Sequence, residues 1–374
     1  MANPFHYESL PSSDNFCGRV QELNLMSQLI HDSKNIVLYG DRRYGKTSLI
    51  EHVFRALPDK FYTAFVDLFS CVDSQDVAVV IYKAVLEALP FNIERRLKEF
   101  SSVIKRARME AQTTATGSIR FMPVVDDRDF NELIEDALMG AEALCEKNNA
   151  RMVIALDEFQ EVVKVKDKRV DAVFRSYMQR LSRVSFIFSG SRKSILSSLF
   201  VDRSAPLYGM ATSVSVKGIE LNILREYCEQ RLGATFEADA FESLYQLSHG
   251  QTKLILQTCY WLYAYGDALN SESVLKCVKQ IIMSKDAEFT MIFGAFSEAD
   301  KKVLRMVVEL GGINLYTAES QKLYNISKQR SYRAVNALIE SGDVTVDEND
   351  SFQVADIDFL LWLKLKFQLE LVSY

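Results

Sequence analysis

The chain has 374 residues, 48% of them hydrophobic and 25% charged, an ordinary balance for a globular protein in water. That length predicts two or three domains, each able to bury a core. A net charge of -6 excludes a molecule basic all over, while leaving room for a local basic face. The six cysteines form no C-x-x-C pair, and the four histidines form no H-E-x-x-H, so neither a disulfide framework nor a zinc site is expected. Residues 1–14 lack a basic segment followed by an apolar one, which argues against a signal peptide. The weakly charged stretch Leu254–Gly266 falls short of the ~20 residues that span a bilayer. A cytoplasmic protein without a membrane partner is the expectation.

In chain order, Asn35–Tyr39 is a β-branched run ending at Gly40, with a polar loop and a helical pattern from Lys46 behind it. A second strand is expected at Tyr62–Leu68, and Asp73 opens an amphipathic helix. Ala111–Val125 alternates around Gly117 and Pro123, as an inserted β-hairpin would. Arg151–Leu156 and Val184–Phe188 are continuous apolar runs, which suit strands covered on both faces of a parallel sheet. Ser213–Lys217 supplies a fifth strand. Strands alternating with helices predict a three-layer αβα domain.

Beyond Gly218 the strand signal stops, and helices are expected at Asn222–Leu232, Ala238–Leu247, Thr252–Tyr265 and Ser271–Ser284. Tyr260, Trp261, Tyr263 and Tyr265 fall on the third of these, where helical placement makes them core. Three further helices, Ser297–Leu310, Thr317–Leu323 and Ser327–Ser341, precede two short strands, Val344–Val346 and Phe352–Val354. Helices followed by a hairpin give the winged-helix order. The expected division is 1–218 for the α/β core, 219–290 for a helical lid and 291–374 for a winged-helix domain.

Gly40-Asp41-Arg42-Arg43-Tyr44-Gly45-Lys46-Thr47 matches the Gly-x-x-x-x-Gly-Lys-Ser/Thr pattern without deviation. Its glycines let the loop curl so that N–H groups and a helix N-terminus face phosphate oxygens. Lys46 then reaches the β/γ-phosphates and the Thr47 hydroxyl ligates Mg²⁺, with Ser48 completing the loop. Asp157 and Glu158 end an apolar strand. Behind such a loop, Asp157 is expected to hold Mg²⁺ through water, and Glu158 to polarise the attacking water as general base. Ser189-Gly190-Ser191 ends the next strand, where Ser191 could feel the γ-phosphate. The cofactors implied are ATP and Mg²⁺.

Phe16-Cys17-Gly18-Arg19 and Glu22-Leu23 stand upstream of this loop, with Leu156-Asp157-Glu158-Phe159, Phe188-Ser189-Gly190-Ser191 and Ala205-Pro206-Leu207-Tyr208-Gly209 downstream. Over nearly the whole chain this resembles the AAA+-related ATPases of the archaeal-ATPase group within the STAND class. The resemblance implies a P-loop NTPase core with lid and winged helix, and places Phe16, Gly18 and Arg19 near adenine and ribose. It also implies a nucleotide-driven switch, with slow, partner-regulated hydrolysis and self-assembly into homo-oligomers as an option. The chain departs from the family pattern at Met210, where an arginine is usual, and at Thr252 in His249-Gly250-Gln251-Thr252, where a proline is usual. Arg192 and Arg203 are the candidates for completing the site, and Lys253 for a lid sensor.

On Ser327–Ile339, Val335, Leu338 and Ile339 make one face, while Lys328, Gln329, Arg330, Arg333 and Asn336 fall largely on the other. A recognition helix for double-stranded DNA needs that division, and Ser327 is its expected N-cap. Against it, residues 297–374 carry 12 acids and 9 bases, and the segment Asp343–Asp350 would repel phosphates. Two outputs therefore stay open: DNA contact through Lys328, Arg330 and Arg333, or a signalling or defence switch docking a protein partner.

Overall fold

The computed structural model describes residues 3–7, 15–89, 109–113, 119–123, 129–191, 193–237, 239–347 and 350–371. Two compact units divide the chain. One comprises Arg19–Asp41 and Lys46–Val216, the other Met1–Gly18, Arg42–Gly45 and Lys217–Tyr374.

The first unit is built on a five-stranded sheet. Its strands are β1 (Ile36–Tyr39), β2 (Phe61–Asp67), β5 (Arg151–Asp157), β6 (Val184–Gly190) and β7 (Thr212–Ser215), in the order β2-β5-β6-β1-β7. Every pairing is parallel. All of β1 and β6, and β5 from Met152 onward, are buried, as strands with helices on both faces must be. Parallel neighbours that are not consecutive require crossovers. The helices α1 (Val20–His31), α2 (Lys46–Ala56), α3 (Ser74–Glu87), α4 (Phe130–Lys147), α5 (Val170–Met178) and α6 (Lys193–Val201) are interleaved with the strands to supply them. Asp73 caps α3 by accepting from the N–H of Asp76, as its position predicts. The carboxylate of Glu142 on α4 accepts from the N–H groups of Ser182, Arg183 and Val184, which fixes where β6 begins. The inserted hairpin is present as β3 (Met109–Thr113) and β4 (Ile119–Pro123), paired antiparallel. Its expected turn lies outside the described residues.

Among its described residues, the regular structure of the second unit is helical apart from one hairpin. It contains α7 (Leu221–Leu232), α8 (Ala240–Leu247), α9 (Thr252–Tyr265), α10 (Ser271–Met283), α11 (Asp286–Ala295), α12 (Glu298–Glu309), α13 (Ala318–Leu323), α14 (Lys328–Ser341) and α15 (Ile357–Lys366). Strands β8 (Val344–Val346) and β9 (Phe352–Val354) pair antiparallel between the last two helices. A reciprocal capping box of Ser297 and Asp300 starts α12.

Several sequence expectations need correction. Ser327 does occupy the N-cap position of α14, with extended backbone, but its side chain makes no capping hydrogen bond. Helices α11 and α15 were not anticipated. Residues 357–363 of α15 are buried without exception, so no polar face marks its period. The aromatic side chains of α9 are not wholly core: Tyr265 is 58% exposed, its ring stacked on Trp261 at 5.3 Å. Among the described residues, no helix is long and apolar enough to cross a membrane.

Candidate active site

Parallel strands bring their carboxyl ends to one edge of the sheet, and ligands of open α/β sheets bind there. Tyr39 at the end of β1 pairs with Gly190 at the end of β6, while Leu156 of β5 pairs with Phe188 of β6. The segments leaving β1, β5 and β6 therefore emerge side by side: the glycine loop, Asp157-Glu158 and Ser191.

Two glycines shape the loop for different reasons. A Cβ at Gly40 would lie 2.7 Å from the Val216 carbonyl oxygen, so only glycine lets the backbone pass. Gly45 has φ +84°, in the left-handed region that side chains disfavour. The chain then enters α2, where Lys46 is buried and its Nζ donates to the carbonyls of Gly40 at 2.6 Å and Asp41 at 2.9 Å. The ammonium is thus held by the two carbonyls that open the loop.

Asp157 is gripped on both carboxylate oxygens. Thr47 Oγ1 donates to Oδ2 at 2.9 Å, and Ser189 Oγ donates to Oδ1. Hydroxyl and carboxylate oxygens are the donors Mg²⁺ prefers, so Thr47 and Asp157 fit that ion chemically. Among the described residues, no group of three or more His, Cys, Asp or Glu could hold a metal ion by itself.

Glu158 departs from the strand with φ 52° and ψ 39°, a left-handed conformation costing roughly 1–2 kcal/mol for a residue with a Cβ. Its Oε2 accepts from Ser191 Oγ at 2.9 Å, from Ser191 N at 3.4 Å and from Gln160 Nε2. Between Glu158 and Gln160, the Phe159 ring is fully buried. Its centroid lies 4.6 Å from that of Phe188 and 5.7 Å from that of Phe174, both edge-on.

The structure thus gathers Lys46, Thr47, Asp157, Glu158 and Ser191, with Ser48 half-buried on the first turn of α2. Other expected site residues are placed differently. Arg19 is buried at the start of α1 in an ion pair with Glu22 at 3.1 Å. Phe16 and Gly18 belong to the second unit, where a Cβ on Gly18 would meet Ile219 at 3.2 Å. Asp41 and Arg42 are exposed. Arg43 and Tyr44 make contacts inside the second unit. Arg43 pairs with Asp358 and, at 3.5 Å, with Asp356, and the Tyr44 hydroxyl donates to the His249 carbonyl at 2.6 Å. Arg203 is exposed in the turn after α6, and among the described residues no hydrogen bond or ion pair joins it to the gathered groups. Arg192 lies outside the described residues. On α14, Lys328, Arg330 and Arg333 are all exposed. Sequence reasoning missed Ser189 as a partner of Asp157 and Gln160 as a partner of Glu158. The spelling Asp157-Glu158-Phe159-Gln160 holds the signal for Gln160, since a tight turn lets residue 160 reach back to residue 158.

These features are those of a P-loop ATPase. The chain belongs to the family of ATPase domains found predominantly in Archaea, whose model matches residues 16–258. No curated protein matches the chain in a sequence comparison. Among solved structures, the Walker-type ATPase PABY2304 of Pyrococcus abyssi is similar in fold, with a TM-score of 0.65 at 16% identity, covering 96% of this chain and 99% of that one. The Aeropyrum pernix ORC2 protein, solved as ADPNP-ADP complexes, aligns with a TM-score of 0.54 at 14% identity, over 97% of this chain and 99% of its own.

Proposed function

We propose that the chain is an ATP-hydrolysing molecular switch of the AAA+/STAND kind, divided into a P-loop core (1–218), a helical lid (219–290) and a winged-helix domain (291–374). The observation that carries this reading is the contact of Thr47 Oγ1 with Asp157 Oδ2 at 2.9 Å, one residue away from a carboxylate anchored through a single oxygen. Lys46 binds the β/γ-phosphates, and the loop N–H groups from Gly40 to Ser48 cradle them. Thr47 and Asp157 hold Mg²⁺, which when bound would draw charge from the phosphate oxygens. Glu158 takes the proton of the attacking water, Ser191 keeps that carboxylate in place, and Arg203 is the candidate for adding charge to the site. Phe16, Gly18 and Arg19 flank the adenosine.

The test is phosphate release together with separately measured ATP binding. Lys46→Ala is expected to abolish turnover. Glu158→Gln should bind ATP and hydrolyse it roughly 10²- to 10⁴-fold more slowly. Wild-type turnover in both variants would remove the assignment.

For the output, the exposed side chains of Lys328, Arg330 and Arg333 on α14 support contact with duplex DNA. The acidic hairpin segment, with Asp343, Asp347 and Asp350, supports the second reading, a protein partner. Anisotropy of a labelled duplex titrated with Glu158→Gln in ATP and in ADP, at two salt concentrations, separates them. Salt-sensitive binding lost in Arg330→Ala/Arg333→Ala favours DNA, and no binding in either state favours the protein partner.

A further inference from the structure

We infer that Gln160 is a positioning residue for Glu158, holding one carboxylate oxygen so that the other faces the attacking water; this rests on the reading of Glu158 as general base. Three observations support it.

The first is cost. Gln160 is 3% exposed, and a buried amide is unfavourable unless its donors and acceptor are paired. Its Nε2 donates to Glu158 Oε2, whereas its Oε1 is buried with no partner among the described residues. A leucine or methionine would fill the same space without that penalty, so stability alone does not account for glutamine here.

The second is the space it occupies. Gly190 ends β6 with a φ outside the left-handed region, so its backbone does not demand glycine. A Cβ there would overlap Gln160 Oε1 and lie 3.0 Å from its Cδ. What the missing side chain provides at 190 is room for the Gln160 amide.

The third is the division of labour on the carboxylate. Oε2 of Glu158 receives Gln160 Nε2, Ser191 Oγ and Ser191 N. Its Oε1 accepts no hydrogen bond among the described residues. A carboxylate saturated on one oxygen cannot swivel freely, and its remaining lone pairs stay aimed in one direction. The left-handed backbone of Glu158 and the buried Phe159 ring hold the start and the middle of the turn that makes this bond. With Gln160 removed, Ser191 alone would anchor Oε2.

The experiment measures ATP affinity, kcat, pH–rate profiles and thermal midpoints for the full chain and its variants. Gln160→Leu should keep ATP affinity and thermal midpoint while lowering kcat roughly 10- to 100-fold, the scale of a misplaced catalytic group. Gln160→Glu puts a like charge beside Glu158, which disfavours its ionised form, so the acid limb of kcat should move to higher pH. Gly190→Ala should reproduce the loss by displacing the amide, and Gly190→Ala/Gln160→Ala should be no slower than Gln160→Ala alone. Wild-type kcat in Gln160→Leu, with Glu158→Gln inactive, overturns the inference and leaves the base assignment standing. Wild-type kcat in Glu158→Gln overturns both. A kcat loss matched by a lower thermal midpoint, with an unmoved acid limb in Gln160→Glu, makes the residue structural and also overturns the inference.

Discussion

Replacing Phe159 with alanine tests whether the aromatic cluster beneath the site holds its geometry. The ring is fully buried and meets Phe188 and Phe174 edge-on, at centroid separations of 4.6 and 5.7 Å, with Phe200 at 6.1 Å. Burying a phenylalanine side chain is worth about 1.5–3 kcal/mol, and each edge-on pair adds about 0.5–1.5 kcal/mol. The sheet cannot close fully over the hole, so Phe159→Ala should cost about 4 kcal/mol, within the usual range for such truncations. At a urea m-value of about 2.5 kcal/mol/M, the midpoint falls by about 1.5 M. Both tryptophans, Trp261 and Trp362, lie in the other unit, so circular dichroism rather than tryptophan fluorescence is the probe for this one. ATP turnover should fall further than ATP affinity, because Glu158 and Gln160 flank the missing ring whereas Lys46 and Thr47 sit on α2. Phe159→Leu should recover part of both losses. A cost below about 1 kcal/mol, or turnover unchanged once folding is allowed for, would refute the idea that this ring anchors the turn.

Asp358 offers a second test, wholly inside the C-terminal unit. Its carboxylate, with 3% side-chain exposure, accepts from both Arg43 and Lys285, so Asp358→Asn leaves two cations facing each other, with Asp356, 3.5 Å from Arg43, as their remaining partner. A loss of about 2–3 kcal/mol is expected, read by fluorescence of Trp362 on the same helix; Lys285→Met in that background should restore part of it, and a loss below about 0.5 kcal/mol would remove the cluster from the stability argument. Cys71 provides a pH test: burial, then the carboxylates of Asp76, Asp67 and Asp73, push its thiol up to about 11. At pH 8 its thiolate fraction is about one in a thousand, so labelling by a disulfide reagent should rise about tenfold per pH unit up to about 11. Because the unfolded thiol ionises first, near 9, this group's contribution to folding is intact below pH 9 and declines above it; rapid, pH-independent labelling of Cys71 at pH 8 would contradict the shift.

What the sequence made legible were features with short-range physical signatures. The glycine spacing before Lys46, the apolar run into Asp157 and the Asp73 cap each depend on neighbours within a few positions. The segment 357–366 stayed illegible because a helix surrounded by core has no polar stripe to betray its period. Ser327 shows the converse, a side chain of the right type at the right place that forms no cap. Ser189 was legible as a strand end but not as a partner of Asp157, because that contact depends on β5 and β6 being neighbours. Gln160 was hidden differently: its partner is two residues away, but only the left-handed backbone at Glu158 brings the amide back.

That left-handed residue also bears on how binding and chemistry are kept apart. Asp157 and Glu158 are adjacent in sequence, yet their carboxylates share no side-chain partner. Asp157 takes Thr47 and Ser189, while Glu158 takes Ser191 and Gln160. In a regular strand, successive side chains would point to opposite faces of the sheet, and one acid would be lost from the site. Reversing φ at the second acid keeps both at the sheet edge while giving each its own supports. The proposed Mg²⁺-binding and water-activating roles should therefore fail separately. Substitutions at Ser189 are expected to weaken nucleotide binding first, and substitutions at Gln160 to slow hydrolysis with binding intact.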